Sequence, residues 1–337
     1  MIKLCQWDIT GSCNLNCIYC REKSTSKLGH LTTAEMFGIV DQFAETKIKS
    51  VTISGGEPLT LKTLPQIFKY LRDRVDIISL TTNATLISPN NVKYIKNYCD
   101  NVQVSIDGYC ADIHDSLRGT GSFDKTIRGI KLLLNNDINV STRLTICDQN
   151  IKSVAKYIEF VHGLGIKSVH LRRVIPAGNF SGKNLISCGS LYEAYKSAFT
   201  TGKKLGTKVG SIDYFSIIEF DEEKRNLIEK EITRRPKQLI GGCSIGIDTI
   251  YIAQDGKVLF CPYLPIYCGD AIKEHLSEIW EKAEMFKINR SLRWNLKGKC
   301  SVCRFKMACG GCPAHAFLTT GDITESDGGC WINETVQ

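Results

Sequence analysis

The chain has 337 residues, 43% of them apolar and 23% charged, and a net charge of +8. That length buries a full core, as one large domain or one plus a smaller one, and the composition is that of an ordinary soluble globular protein. The basic excess is spread along the chain without a nucleic-acid-binding motif, no apolar run approaches a membrane span, and residues 1–5 carry no signal peptide, so neither nucleic acid nor membrane is an expected partner and the cytoplasm is the expected location.

Against that background 16 cysteines stand out. In a cytosolic chain of this size they point to metal sites or catalysis rather than to disulfides.

In chain order, apolar β-rich segments recur at 3–9, 50–54, 76–81, 101–106, 139–146 and 167–172. Between them helical patterns lie at about 33–46, 61–72, 91–98, 122–135 and 151–164, with Thr32 or Thr33 before Glu35 and Ser88 before Pro89 as helix starts. Six strands alternating with five helices predict a parallel α/β sheet, curled toward a barrel by right-handed crossovers. A Gly-, Asn- and Ser-rich break follows at 176–189, then helical segments at 191–205 and 221–233. From Gly241 onward the strands are short and Gly and Cys dense. There the Gln254-Asp255-Gly256-Lys257 turn predicts a β-hairpin between 247–253 and 258–261. The expected division is 1–185 for the barrel, 186–240 for a helical bridge and 241–337 for a cysteine-rich extension.

Cys13-x3-Cys17-x2-Cys20 follows the first strand, in a Gly11-Ser12-Cys13-Asn14 loop. Three thiolates so close can grip one iron–sulfur cube and leave its fourth iron open to an outside chelator. The alternative is zinc, which wants a fourth ligand, with His30 as the one close candidate.

This spacing, with Tyr19 before the last cysteine and a position at the end of the first strand, resembles the signature of the radical S-adenosylmethionine (SAM) superfamily. The resemblance implies a partial (β/α)6 barrel, a [4Fe–4S] cluster on Cys13, Cys17 and Cys20, and SAM chelating the open iron. Later segments match the family's SAM-binding pattern in order. Ser54-Gly55-Gly56-Glu57-Pro58 ends the second strand, where the glycines would admit the methionine amino group and Glu57 help hold it. Thr82-Asn83 ends the third strand, and Ser105-Ile106-Asp107-Gly108 ends the fourth, with Ser105 and Asp107 toward the ribose. Arg118 resembles the arginine that pairs with the SAM carboxylate, and Asn150 and Arg172 are further candidates. These positions lie at the C-terminal ends of successive parallel strands, where α/β barrels build their sites. Taken alone, Gly-Gly-Glu reads equally as a strand-to-helix turn and Arg118 as a solvated arginine.

Cys243, Cys261, then Cys300-x2-Cys303-x5-Cys309-x2-Cys312, then Cys330 resemble a SPASM domain, with the last gap of the core quartet one residue shorter than the family's. The resemblance implies two auxiliary [4Fe–4S] clusters: an outer one on Cys300, Cys303, Cys309 and Cys330, and an inner one on Cys243, Cys261 and Cys312. The fourth inner ligand would be Cys268, or the site stays open for substrate. Two structural zinc sites are the alternative, since Cys-x2-Cys pairs suit zinc equally. Cys5, Cys99, Cys110, Cys147 and Cys188 fit no ligand spacing and are expected in the core.

By this resemblance an electron donor such as flavodoxin or ferredoxin feeds reductive cleavage of SAM to methionine and a 5′-deoxyadenosyl radical. That radical abstracts hydrogen from a substrate C–H bond in a site closed to water. SPASM-bearing relatives act mostly on peptides, so the first expectation is oxidation or crosslinking of residues in a ribosomally synthesised peptide, a post-translational modification. The second is oxidative tailoring of a small metabolite such as a tetrapyrrole precursor. The third is a non-catalytic Fe–S or zinc scaffold. Sulfatase-maturing relatives carry a general-base Asp directly after the second SPASM cysteine, and Pro262 stands there instead. The first strand is expected to start at residue 3, so no N-terminal leader-binding domain is expected, and a peptide would need a separate recognition protein or bind directly at the barrel mouth. The stretch from Arg173 to Gly178 resembles members of both the peptide and the haem-precursor classes.

Overall fold

The computed structural model describes residues 1–21, 29–180 and 185–332. Its strands are β1 (Leu4–Thr10), β2 (Ser50–Gly55), β3 (Ile77–Thr82), β4 (Asn101–Ser105), β5 (Val140–Ile146), β6 (Ser168–Arg173), β7 (Lys208–Ser211), β8 (Thr249–Ile252), β9 (Lys257–Cys261) and β10 (Leu264–Asp270). They form one sheet in the order β10-β9-β8-β1-β2-β3-β4-β5-β6-β7. From β8 through β1 to β7 every pairing is parallel, while β8, β9 and β10 pair antiparallel. With β10 and β7 as its two edges, this is a partial barrel rather than a closed one.

Helices α1 (Thr33–Glu45), α2 (Leu64–Arg72), α3 (Pro89–Tyr98), α4 (Ala111–Arg118), α5 (Ser122–Leu134) and α6 (Val154–Gly163) alternate with the first six strands. α7 (Cys188–Leu205), α8 (Tyr214–Phe220) and α9 (Glu222–Arg234) bracket β7. α10 (Leu276–Lys282), α11 (Glu284–Ser291), α12 (Gly298–Ser301) and α13 (Pro313–Thr320) belong to the cysteine-rich end. No helix among the described residues is long and apolar enough to cross a membrane.

The local chemistry explains where the helices start. Thr32 caps α1 in a capping box: its hydroxyl accepts from the Glu35 N–H at 3.3 Å, and Glu35 accepts from the Thr32 N–H at 2.7 Å. Ser88 and Asn91 do the same at α3, with Pro89 at its first position, where no N–H is needed. Met36, Ile39, Val40 and Phe43 then recur at helical spacing and bury one face of α1 against the sheet. Burying a side chain such as Phe43 stabilises by about 1.5–3 kcal/mol.

The strands alternate. Trp7, Val51, Ile53, Ile78, Leu80, Val102, Val104, Leu144 and Leu171 face the helices and are buried. The opposite face carries Gln6, Thr52, Ser54, Thr81, Ser105, Arg143, Thr145 and Arg172, which line open clefts. A closed (β/α)8 barrel fills its interior with packed apolar layers. Here the interior is polar and hollow, which is what a binding site requires.

The Asp-Gly hairpin forms between β8 and β9, with Gly256 at φ 82°. Two further elements extend the sheet beyond the six strands read from the sequence. β7 lies in the expected helical bridge and pairs with β6, and the β8–β10 meander docks on β1. Of the five cysteines assigned to the core, only Cys5 and Cys147 are buried; Cys99, Cys110 and Cys188 are partly exposed.

Candidate active site

The loop after β1 is gripped from three sides. The Gly56 N–H donates to Thr10 O at 2.7 Å, and the Glu57 N–H to Ser12 O at 2.8 Å. A Cβ on Gly55 would stand 2.3 Å from Thr10 O, and one on Gly56 2.3 Å from Ser12 O, so these glycines let the ends of β1 and β2 close on each other. Near α4, the Ile18 N–H donates to Leu117 O at 3.0 Å. After β6, the Asn179 N–H donates to Cys20 O and its side-chain amide to Cys17 O, both at 3.0 Å. Asn83 reaches Asn14 Oδ1 at 3.0 Å and so fixes the residue after Cys13.

Cys13, Cys17 and Cys20 line one cleft with Tyr19, Gly55, Gly56, Asn83, Ser105 and Arg118, around roughly 920 Å³ of space open to solvent. Burial pushes the Cys13 thiol up to about 11, against a hydrogen bond from the Leu15 N–H, and the charges of Cys17 and Cys20 add to the shift. A bound cationic cluster reverses that sign, because coordinating thiols are deprotonated outright. Three thiols that line one roomy polar cleft are the donor set that a cube held by three corners requires. His30 is exposed and does not line this cleft.

Glu57 and Asp107 stand behind the wall of the cleft. Glu57 is fully buried and accepts from the Thr82 hydroxyl and the Asn83 N–H, each at 2.7 Å. Burial pushes its carboxyl up, and those donors oppose the shift. Asp107, equally buried, accepts from the Tyr19 hydroxyl, from Arg118 Nε at 2.5 Å and from the Thr145 N–H at 2.8 Å. Asp107 thereby orients Tyr19 and Arg118, which do line the cleft. Asn150 is also spent internally: its amide donates to Asp107 O at 3.0 Å and Thr145 O at 2.9 Å.

A second cavity, of roughly 1610 Å³, opens on the other side of Arg21, Ser54, Thr81, Arg143, Arg172 and Tyr263, residues that line both spaces. Its far wall holds Cys243, Cys261, Cys312 and Cys309. Cys268 lies on β10 outside that wall, with Sγ 3.6 Å from Ile266 O. Cys300, Cys303, Cys309 and Cys330 line a separate, small and more enclosed space of roughly 360 Å³. Cys243, Cys261 and Cys312 thus line one space and Cys300, Cys303 and Cys330 another, with Cys309 lining both.

Sequence reasoning missed Asn179, Arg143 and Tyr263. The inward alternation of Ser141, Arg143 and Thr145 along β5 was a legible signal for Arg143. The other two reach the site through tertiary packing.

The radical SAM superfamily profile matches residues 7–161, and the profile of the SPASM iron–sulfur cluster-binding domain matches 243–304. The AdoMet-dependent heme synthase of Methanosarcina barkeri is 32% identical over 340 aligned residues, which cover 97% of this chain and 96% of the relative. The mycofactocin maturase MftC of Mycolicibacterium smegmatis is 25% identical, covering 96% and 81%. Native anSMEcpe with bound AdoMet superposes with a TM-score of 0.79 at 18% identity, covering 99% of this chain and 95% of that one, which speaks for the fold. With a thiol-lined cleft at the mouth of a partial barrel and an end-to-end relative of this kind, the chain belongs to the radical SAM superfamily and carries a SPASM domain.

Proposed function

We propose that this enzyme oxidatively tailors a side chain of a carboxylated tetrapyrrole. The observation that carries this reading is the match to a heme synthase along almost the whole of both chains. A hollow polar interior that joins the two cysteine-lined cavities supports it, since a bulky, charged macrocycle needs such a space.

Cys13, Cys17 and Cys20 would hold the cluster, and Gly55, Gly56, Asn83, Ser105, Tyr19 and Arg118 would surround SAM, with Glu57 and Asp107 holding that wall in place. A cluster held there would supply the one electron that reductive cleavage of SAM to methionine and a 5′-deoxyadenosyl radical requires, and an auxiliary cluster would accept the electron left on the substrate once that radical has taken a hydrogen atom. Cys300, Cys303, Cys309 and Cys330 would hold an outer auxiliary [4Fe–4S] cluster, and Cys243, Cys261 and Cys312 an inner one facing the substrate cavity. A flavodoxin or ferredoxin would supply the electron.

Anaerobic reconstitution followed by SAM, a reductant and iron coproporphyrin III tests the reading. Production of 5′-deoxyadenosine together with a porphyrin of lower mass is expected. An iron-replete enzyme that cleaves SAM but leaves the porphyrin unchanged overturns it. The second reading, modification of a ribosomal peptide with or without a separate leader-binding protein, has the 25% likeness to MftC in its favour. It predicts that a short peptide encoded beside the gene loses hydrogen on co-expression.

A further inference from the structure

Arg143 on β5 and Arg172 on β6 stand where the two cavities meet, and both line each of them. In the ladder Arg143 pairs with His170 and Thr145 with Arg172. The two arginines therefore project from the same face of neighbouring strands, two positions apart.

Among the described residues, the neighbouring carboxylates are already engaged. Asp8 is taken by Arg21 at 2.9 Å and by the Tyr251 hydroxyl at 2.5 Å. Asp107 is taken by Arg118, and Asp213 and Asp327 by Arg173. Among the described residues neither Arg143 nor Arg172 forms an ion pair. Arg172 Nε is buried without a hydrogen-bond partner, and its guanidinium lies 3.9 Å from the centre of the Tyr263 ring, stacked rather than neutralised. Burial, and then the Arg172 charge, push Arg143 down to about 10. Two half-buried like charges on one face of the sheet are costly unless an anion joins them. The planar fork of a guanidinium matches a carboxylate in particular.

We propose that Arg143 and Arg172 clamp a carboxylate of the substrate between the SAM cleft and the wall of Cys243, Cys261 and Cys312. This rests on the tetrapyrrole reading and gives it a specificity determinant: the macrocycle is selected by an acidic side chain, with Tyr263 from the β9–β10 turn backing the clamp. The carboxylate of SAM has the same chemistry, so the test separates the two sources.

The reconstituted full chain is titrated, without reductant, with iron coproporphyrin III and with its tetramethyl ester, and SAM binding is measured by equilibrium dialysis. The free acid is expected to bind about tenfold or more tighter than the ester, the strength of a charge-assisted pair. R143Q and R172Q are each expected to lose about tenfold in affinity for the acid, with ester and SAM affinities unchanged. Should a glutamine variant lose iron, R143K and R172K, which keep the charge but not the fork, carry the same comparison. Equal binding of acid and ester, or acid binding unchanged in the variants, overturns the clamp and leaves the tetrapyrrole reading standing. Loss of SAM affinity with porphyrin affinity intact reassigns the pair to SAM and overturns it. No binding of either porphyrin by the iron-replete wild type overturns both.

Discussion

Arg173 Nη2 lies 2.5 Å from the Asp327 carboxylate with both side chains buried, so the end of β6 is bonded directly to the chain segment that leads into Cys330. The same carboxylate accepts from the Cys312 N–H at 2.9 Å and faces His315 Nδ1 at 3.1 Å. Arg173 Nε in turn lies 3.2 Å from Asp213, at the end of β7. Burial alone would raise the Asp327 carboxyl, but the Arg173 guanidinium and His315 hold it well below the usual carboxylate range. One buried network thus fastens the barrel to the two cysteine groups of the C-terminal region. Removing one partner of a buried pair strands the other, at a cost of about 3–5 kcal/mol. D327N leaves Arg173 with Asp213 as its remaining counter-charge, so it is expected to lower the unfolding free energy by less than that full penalty, with a lower denaturation midpoint, and to reduce iron at the auxiliary sites while the N-terminal site still fills. A variant with full iron and an unchanged midpoint would show that the network has no such role.

The N-terminal thiols and the C-terminal ones should separate cleanly. A C13A/C17A/C20A variant is expected to lose about four irons per chain, one cube's worth, and to bring 5′-deoxyadenosine formation down to background. Iron and acid-labile sulfide analysis, with SAM cleavage measured in parallel, reads both effects. Retained SAM cleavage would remove the assignment of these cysteines.

Much of this site is legible in the amino-acid sequence. The capped starts of α1 and α3, the cysteine loop after β1 and the Asp-Gly hairpin all depend on neighbours within a few residues, and each lies where local chemistry puts it. β7 was invisible because Lys208-Val209-Gly210-Ser211 contains one buried residue, and only the edge of β6 makes it a strand. α4 was missed because it buries His114 and Arg118 alongside Leu117, a face that no apolar periodicity announces. The sequence resemblance placed Glu57 and Asp107 at the correct strand ends. Which way their carboxylates turn is decided by Thr82, Asn83, Arg118 and Thr145, and hence by tertiary packing.

Cys268 offers a test of the inner auxiliary site. It sits outside the cavity wall formed by Cys243, Cys261 and Cys312. C268A is expected to keep its full iron complement, whereas C261A is expected to lose the inner cluster, and C303A to lose about four irons from the outer one. Loss of iron from C268A would make it the fourth ligand and require β10 to shift on cluster binding.

His114 makes the scaffold behind the SAM cleft sensitive to acid. Its ring is fully buried, and its Nδ1 accepts the Asp107 N–H at 3.2 Å, so Nε2 carries the single proton of the neutral form. Burial, and then the Arg118 charge, push its pKa down to about 4 from the ordinary 6.5. A histidine depressed in the folded state binds its proton more readily when unfolded. Its contribution is therefore intact above about pH 6.5 and is lost as pH falls toward 4, by roughly 3 kcal/mol in total. H114Q should be less stable than the wild type at pH 7, because the imidazole packs against Phe123. It should also show a shallower fall in stability between pH 6.5 and 4.5. Denaturant titrations of both proteins across that window measure the difference in slope, and parallel curves would mean that His114 is not the group that titrates.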